Sequence, residues 1–288
     1  MTTLDALARP SGTFAMVAMD QRESLRTMLA QHHHGTVGDD RLVAFKLAVA
    51  TELAPYASGF LIDRHYALDR LTGDRLLPAS CGLVVALDAL EQPPGGLVEE
   101  TDLDRDADVA AFRRSGAVAL KLLVIWRDDA ARGRRLAMAS RFVELAGEHG
   151  LLSVLEGVVR EDDRETAILE AAAELSSTGP SLYKCEVPLQ GRGDLSAVEE
   201  GARAIDAVVP GPWVVLSQGV EPDDFPGAVE ASCRGGASGF LAGRALWTAT
   251  LAADDPSSLL RRVSVPRLVA LGAIVDRHGT PWREKAAA

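Results

Sequence analysis

The sequence predicts a single-domain α/β protein, a (β/α)8 TIM barrel, on three observations. Eight short apolar, β-rich runs recur along the chain, with helix-patterned segments between them. The runs are nearly continuous in apolar residues rather than alternating, as strands of a parallel sheet covered on both faces are. Eight is also the strand number that closes a barrel whose interior its own side chains fill.

Taken in order, FAMVAMD (14–20) is the first run, GFLID (59–63) the second and CGLVVAL (81–87) the third. AVALKLLVIW (117–126), LLSVLEGV (151–158) and LYKCEVP (182–188) follow. WVVLSQG (213–219) and GFLAGR (239–244) complete the set. Between them, residues 40–56 carry Leu42, Phe45, Val49 and Leu53 at helical spacing. Residues 133–149 do the same with Leu136, Phe142, Leu145 and Ala146, and 196–209 with Val198, Ala202 and Ile205. EQPPGGLVEETD (91–102) and PLQGRGDL (188–195) read as loops, each punctuated by Pro and Gly. Residues 256–278 read as a final helix and 279–288 as a fraying tail, so the core of the domain spans 11–278.

A chain of 288 residues fits one barrel domain and buries a large core without disulfides or metal. No apolar run approaches the roughly 18 residues of a membrane span. The start, MTTLDALARPSG, has no basic region followed by an apolar stretch, so no secretory signal is expected. Cys81, Cys185 and Cys233 are odd in number and set among apolar residues, which suits buried free thiols in a reducing cytoplasm. The net charge of −11 argues against nucleic acid or an anionic membrane as partner. It leaves a small anionic substrate open, because a few Arg and Lys in a cleft set the local potential.

Reactive groups of such a barrel gather at the C-terminal ends of its strands. Lys184 stands inside an apolar run, between Tyr183 and Cys185, and Lys121 stands in the same way inside AVALKLLVIW. A lysine there is costly unless paired or used. If the two ammonium groups approach, each depresses the other's proton affinity, which suits an imine-forming amine. The bland reading of either lysine alone is a snorkelling edge residue. Glu156 near the end of the fifth run can move protons beside the two lysines or serve as an ion-pair partner. Asp20 at the end of the first run can hold a lysine or cap the helix that follows. Glu186 shares the face of Lys184 and is a second acid/base or a counter-ion. Ser217, Gln218 and Gly219 end the seventh run, and Gly243 and Arg244 the eighth, where barrels commonly bind phosphate. None of the six histidines (His32, His33, His34, His65, His149, His278) ends a run, so no metal and no bound cofactor is expected. His32, His33 and His34 read as a solvated loop.

In FAMVAMDQRES (14–24), YASGFLID (56–63), ALKLLVIWRDD (119–129), LLSVLEGVVR (151–160), LYKCEVPLQGRGD (182–194), WVVLSQGV (213–220) and GASGFLAGRALW (236–247), the chain resembles a known family. It is similar to the class I aldolases of the tagatose-1,6-bisphosphate aldolase type, and within them to the bacterial sulfofructosephosphate aldolases. The resemblance covers residues 11–278. It implies aldol cleavage through a Schiff base on Lys184, with no metal. It places the family's second lysine on Lys121, its glutamate on Glu156 and its aspartate on Asp20. It places the phosphate-binding residues on Ser217, Gly219, Gly243 and Arg244. Two positions depart from the pattern. Cys185 replaces an aliphatic residue and faces the helices by parity, and Gln218 replaces a small residue and narrows the phosphate site.

The choice of substrate within the resemblance rests on arginines. Arg127 follows the fourth run and Arg160 the fifth, as in the sulfosugar branch, while Gln21 and Arg22 add donors that both branches share. The implied reaction cleaves 6-deoxy-6-sulfofructose 1-phosphate to dihydroxyacetone phosphate and sulfolactaldehyde. The alternatives are a tagatose or fructose 1,6-bisphosphate aldolase, a transaldolase with the same lysine, and a sugar-phosphate sensor without turnover. A homo-oligomer is expected, since barrels of this kind often associate.

Overall fold

The computed structural model describes residues 2–32, 35–93 and 96–286. Each of the eight apolar runs contains a barrel strand. They are β1 (Phe14–Met19), β2 (Gly59–Asp63), β3 (Gly82–Ala86), β6 (Ala117–Trp126), β7 (Leu152–Val159), β8 (Leu182–Cys185), β9 (Trp213–Val215) and β10 (Gly239–Ala242). All pair in parallel and close in the order β1-β10-β9-β8-β7-β6-β3-β2. The intervening helices cover the outside, as in Asp39–Leu53, Arg132–Glu148, Arg164–Ser176 and Leu195–Val208.

Strand alternation sorts side chains into two compartments. Tyr183, Cys185, Leu120, Leu122 and Leu155 point outward and meet the helices. Phe14, Met16, Val84, Ala119, Leu152, Val154, Leu182, Val214 and Leu241 point inward and fill the barrel floor. Each large apolar side chain buried there contributes about 1.5–3 kcal/mol. β1 and β10 approach so closely that a Cβ on Gly239 would lie 2.0 Å from the Phe14 carbonyl oxygen. At φ +139° this position is open to glycine and strained for other residues.

Three expectations are corrected. Residues 91–102 are not simply a loop: β4 (Asp88–Glu91) and β5 (Glu100–Leu103) form an antiparallel hairpin over the barrel mouth. The tail does not fray through 286. Helix Trp282–Ala286 folds under the floor, Trp282 N–H donating to Gly12 O at 2.9 Å, with Trp282 against the floor cluster. At the other end of the chain, Leu4 and Leu7 are buried in the same cluster, so the packed domain extends beyond 11–278. The final helix is not continuous either. Pro256–Leu259 runs through a π turn at Leu260–Ser264 into Val265–His278, where Pro266 has no N–H for the helical ladder. His32 is the last residue of helix Glu23–His32, and His33 and His34 lie outside the described residues.

Candidate active site

The inward positions next above the floor are polar. In β6 the inward series is Ala119, Lys121, Leu123, Ile125, and in β7 it is Leu152, Val154, Glu156, Val158. Register sets Glu156 beside Lys184 of β8. Strand parity alone therefore delivers both lysines and the glutamate to one pocket, lined also by Asp20, Asp88, Arg160, Ser217, Gly243 and Arg244.

Lys121 is almost fully buried, and three carboxylates surround its ammonium. Its Nζ lies 2.8 Å from Asp20 Oδ2, 3.0 Å from Asp88 Oδ2 and 2.9 Å from Glu156 Oε2. Burial opposes its charge, but Asp20, Asp88 and Glu156 outweigh burial and hold it well above the usual lysine range. The expectation that the lysines depress each other is thus corrected for Lys121. Glu156 sits between them, its other oxygen 2.9 Å from Lys184 Nζ. Burial pushes the Glu156 and Asp20 carboxyls up, yet Lys121 and Lys184 prevail and both are held below the usual carboxylate range.

Asp88 was not singled out from the sequence, because the third apolar run ends one residue before it. Its signal was available: it follows its run as Asp20 closes the first. Asp88 also accepts from Arg22 Nη2, through Oδ1 at 3.0 Å and its own carbonyl at 2.8 Å. The hairpin that starts at Asp88 brings Leu90, Gln92, Leu97 and Val98 to the mouth. There Val98 packs on Ile125, Val158 and Leu216, an apolar collar above the lysines. Gln21 also lines the pocket, and its Oε1, like Arg22 Nε, is buried with no hydrogen-bond partner among the described residues.

Across the pocket, Arg244 donates to Gln218 Oε1 at 2.9 Å. Arginine has no acceptor, so the Gln218 oxygen must face it and the amide NH2 faces away. Burial pushes the Arg244 guanidinium down, against Glu156, Asp20 and Glu186. Arg160 is also pushed down, first by burial and then by crowding from Arg127, Arg164 and Arg244, with Glu186 opposing. Its Nη1 donates to the Val159 carbonyl. Two partly buried guanidinium groups, neither in an ion pair with a carboxylate among the described residues, make this wall receptive to an anion.

Not every candidate reaches the pocket. Arg127 does not line it, and its Nη1 lies 4.0 Å from Glu100, opposite Glu91 at the loop end of the hairpin. Gly219 does not line it either: at φ +79° it turns the chain, with the Gln190 amide 2.5 Å from where a Cβ would stand. Glu186 is buried behind the pocket wall, accepting from Val159 N–H at 2.9 Å and Arg164 at 2.8 Å, so it acts as a counter-ion. Among the described residues no group of three His, Cys, Asp or Glu side chains is arranged to hold a metal ion. Among them, too, no helix is long and apolar enough to cross a membrane.

Known proteins share this architecture. A tagatose 1,6-diphosphate aldolase 2 of Streptococcus pyogenes serotype M3 is 26% identical over 95% of this chain and 94% of its own length. A tagatose 1,6-diphosphate aldolase of Staphylococcus epidermidis is 23% identical over 99% and 98%. Among solved structures, a fructose-bisphosphate aldolase from Plasmodium falciparum superposes with a TM-score of 0.72 at 15% identity, covering 97% of this chain and 94% of that one. A Schiff-base-forming fructose-1,6-bisphosphate aldolase does so with a TM-score of 0.61 at 16% identity, covering 94% and 98%. These structural likenesses speak to the fold. The DeoC/LacD family aldolase model matches residues 14–249, and the chain belongs to that family: it is an aldolase, a lyase.

Proposed function

We propose that the chain is a class I aldolase in which Lys184 forms a Schiff base with a ketose 1-phosphate. The observation that carries the reading is the unequal surroundings of two buried lysines that share Glu156. Lys121 gives its donors to three carboxylates, whereas Lys184 has, among the described residues, Glu156 alone as an ion-pair partner. An amine needs a free electron pair to attack a carbonyl. Lys184 Nζ adds to C2, and loss of water, helped by Lys121 and Glu156, gives the iminium. Glu156 takes the C4 hydroxyl proton, C3–C4 breaks, and the electron pair moves into the iminium to form an enamine. The aldehyde leaves. Protonation at C3 and addition of water then release dihydroxyacetone phosphate and restore the amine. Asp20 and Asp88 keep Lys121 fixed and charged throughout. Arg244, Ser217 and Gly243 take the C1 phosphate, with the Gln21 amide beside Gly243 and Arg22 held by Asp88.

The substrate we propose is 6-deoxy-6-sulfofructose 1-phosphate, with Arg160 on the sulfonate and sulfolactaldehyde as the aldehyde released. What supports it is the sequence resemblance and the arginine-rich wall. Arg127 adds nothing to that wall, since it faces Glu100 instead. The names of the S. pyogenes and S. epidermidis relatives favour a second reading, tagatose 1,6-bisphosphate. Triose-phosphate release from both substrates, compared as kcat/KM, separates the two. A clear preference for the sulfosugar supports the first reading. Equal or reversed preference moves the enzyme to the bisphosphate and leaves the Lys184 chemistry intact.

A further inference from the structure

A second buried lysine cluster lies just outside the pocket. Lys46 sits on the outer helix Asp39–Leu53, yet its side chain is fully buried. Its ammonium reaches over the ends of β1 and β2. It donates to Met19 O at 2.8 Å and to Gln21 O at 2.7 Å, and it pairs with Asp63, the last residue of β2. Asp63 is fixed in turn, accepting from His65 N–H at 2.9 Å and Tyr66 N–H at 3.1 Å. The Tyr66 ring centroid lies 5.7 Å from the Lys46 ammonium. Burial pushes Lys46 below the usual lysine range, and Asp63 offsets this only in part. Such a group is expensive to keep in a core.

The two carbonyls it grips belong to the residues on either side of Asp20. A backbone held on both flanks fixes the origin and Cα–Cβ direction from which the Asp20 carboxylate reaches Lys121 Nζ at 2.8 Å. We propose that Lys46 is a positioning residue for the reaction, aiming Asp20 at Lys121 through the Met19 and Gln21 carbonyls without touching substrate. Apolar packing would fill the same space without directed donors, so the lysine serves geometry rather than core volume. The proposal rests on the role given to Asp20 above.

The test is a double-variant cycle on the full chain, read by NMR as solvent-deuterium exchange into dihydroxyacetone phosphate. This half-reaction needs no aldehyde. Lys46→Met should slow exchange about 10- to 100-fold with little change in KM, since small misplacements of a reacting group act on kcat. In the Asp20→Asn background the same change should add less than about threefold, because both remove one function. Full multiplication of the two losses, or an unchanged rate in folded Lys46→Met, overturns the proposal. If Lys46→Met gives no cooperative melt, Asp63→Asn, which loosens the tether of Lys46, enters the same cycle with the same criteria. Full activity in Asp20→Asn would instead remove the Asp20 reading, a failure distinct from loss in Asp20→Asn with none in Lys46→Met.

Discussion

Two lysines rise from the same barrel floor and meet the same glutamate, yet their surroundings differ. Around Lys121 the ends of β1 and β3 and the middle of β7 each contribute a carboxylate, so its donors are spent. Around Lys184 one oxygen of Glu156 is the only ion-pair partner among the described residues. An iminium formed on Lys184 places a second positive charge beside the three carboxylates, which favours it. A barrel can thus divide labour between two identical side chains by what the neighbouring strand ends place around each. One becomes a fixed cation and the other a nucleophile.

The largest effect should come from removing the nucleophile. Lys184→Met should lower kcat on the order of 10^4- to 10^6-fold, as loss of a covalent catalyst does, while the thermal melt stays cooperative. Lys121→Met should be worse for folding. It strands Asp20 and strips one partner each from Asp88 and Glu156, and breaking a buried pair in this way costs about 3–5 kcal/mol of stability. Calorimetry should show a Tm well below that of Lys184→Met, and equal melting temperatures would erase the contrast between the two sites.

The same contrast has a pH signature. Asp20 and Glu156 have folded pKa values below their unfolded ones, so their stabilisation is present above the unfolded values. It is lost as pH falls through the folded values. Lys121 is shifted upward, so its contribution is present below its unfolded pKa and is lost as pH rises through the folded one. The Tm should therefore hold through neutrality and begin to fall below about pH 5. Asp20→Asn should make that acid slope shallower, and an unchanged slope would deny the cluster its part in stability.

A smaller effect separates the arginines. Arg160→Gln should raise KM about 10- to 100-fold, since a bond from a charged donor to an anion is worth about 1.5–3 kcal/mol. Arg127→Gln should change KM less than about threefold, because its ion-pair partner is a partly exposed Glu100 at the loop end of the hairpin. Parallel Michaelis curves for the two variants give the answer, and matching shifts would return Arg127 to the pocket.

Much of this was legible in the sequence because strand parity is simple. Once LYKCEVP and AVALKLLVIW are strands, Lys184 and Lys121 point inward and Cys185 outward, whatever the loops do. Asp88 was harder, since its strand had already ended and a hairpin too short and polar for periodicity carries the chain away from it. Arg127 shows the opposite limit. It follows a strand end as Arg160 does, but one step along the turn aims it at Glu100, and sequence spacing does not encode that direction. Lys46 was hidden inside a helix whose apolar face at Leu42, Phe45 and Val49 explained the segment without it. The terminal segments packed under the floor for a similar reason: Leu4, Leu7 and Trp282 find a partner only once the barrel exists.

The most direct test of the division between the lysines is borohydride reduction of the enzyme in the presence of dihydroxyacetone phosphate, followed by peptide mass spectrometry. The account predicts a reduced triose-phosphate adduct on Lys184 and none on Lys121. An adduct on Lys121, or no adduct in an enzyme that still cleaves its substrate, would contradict it.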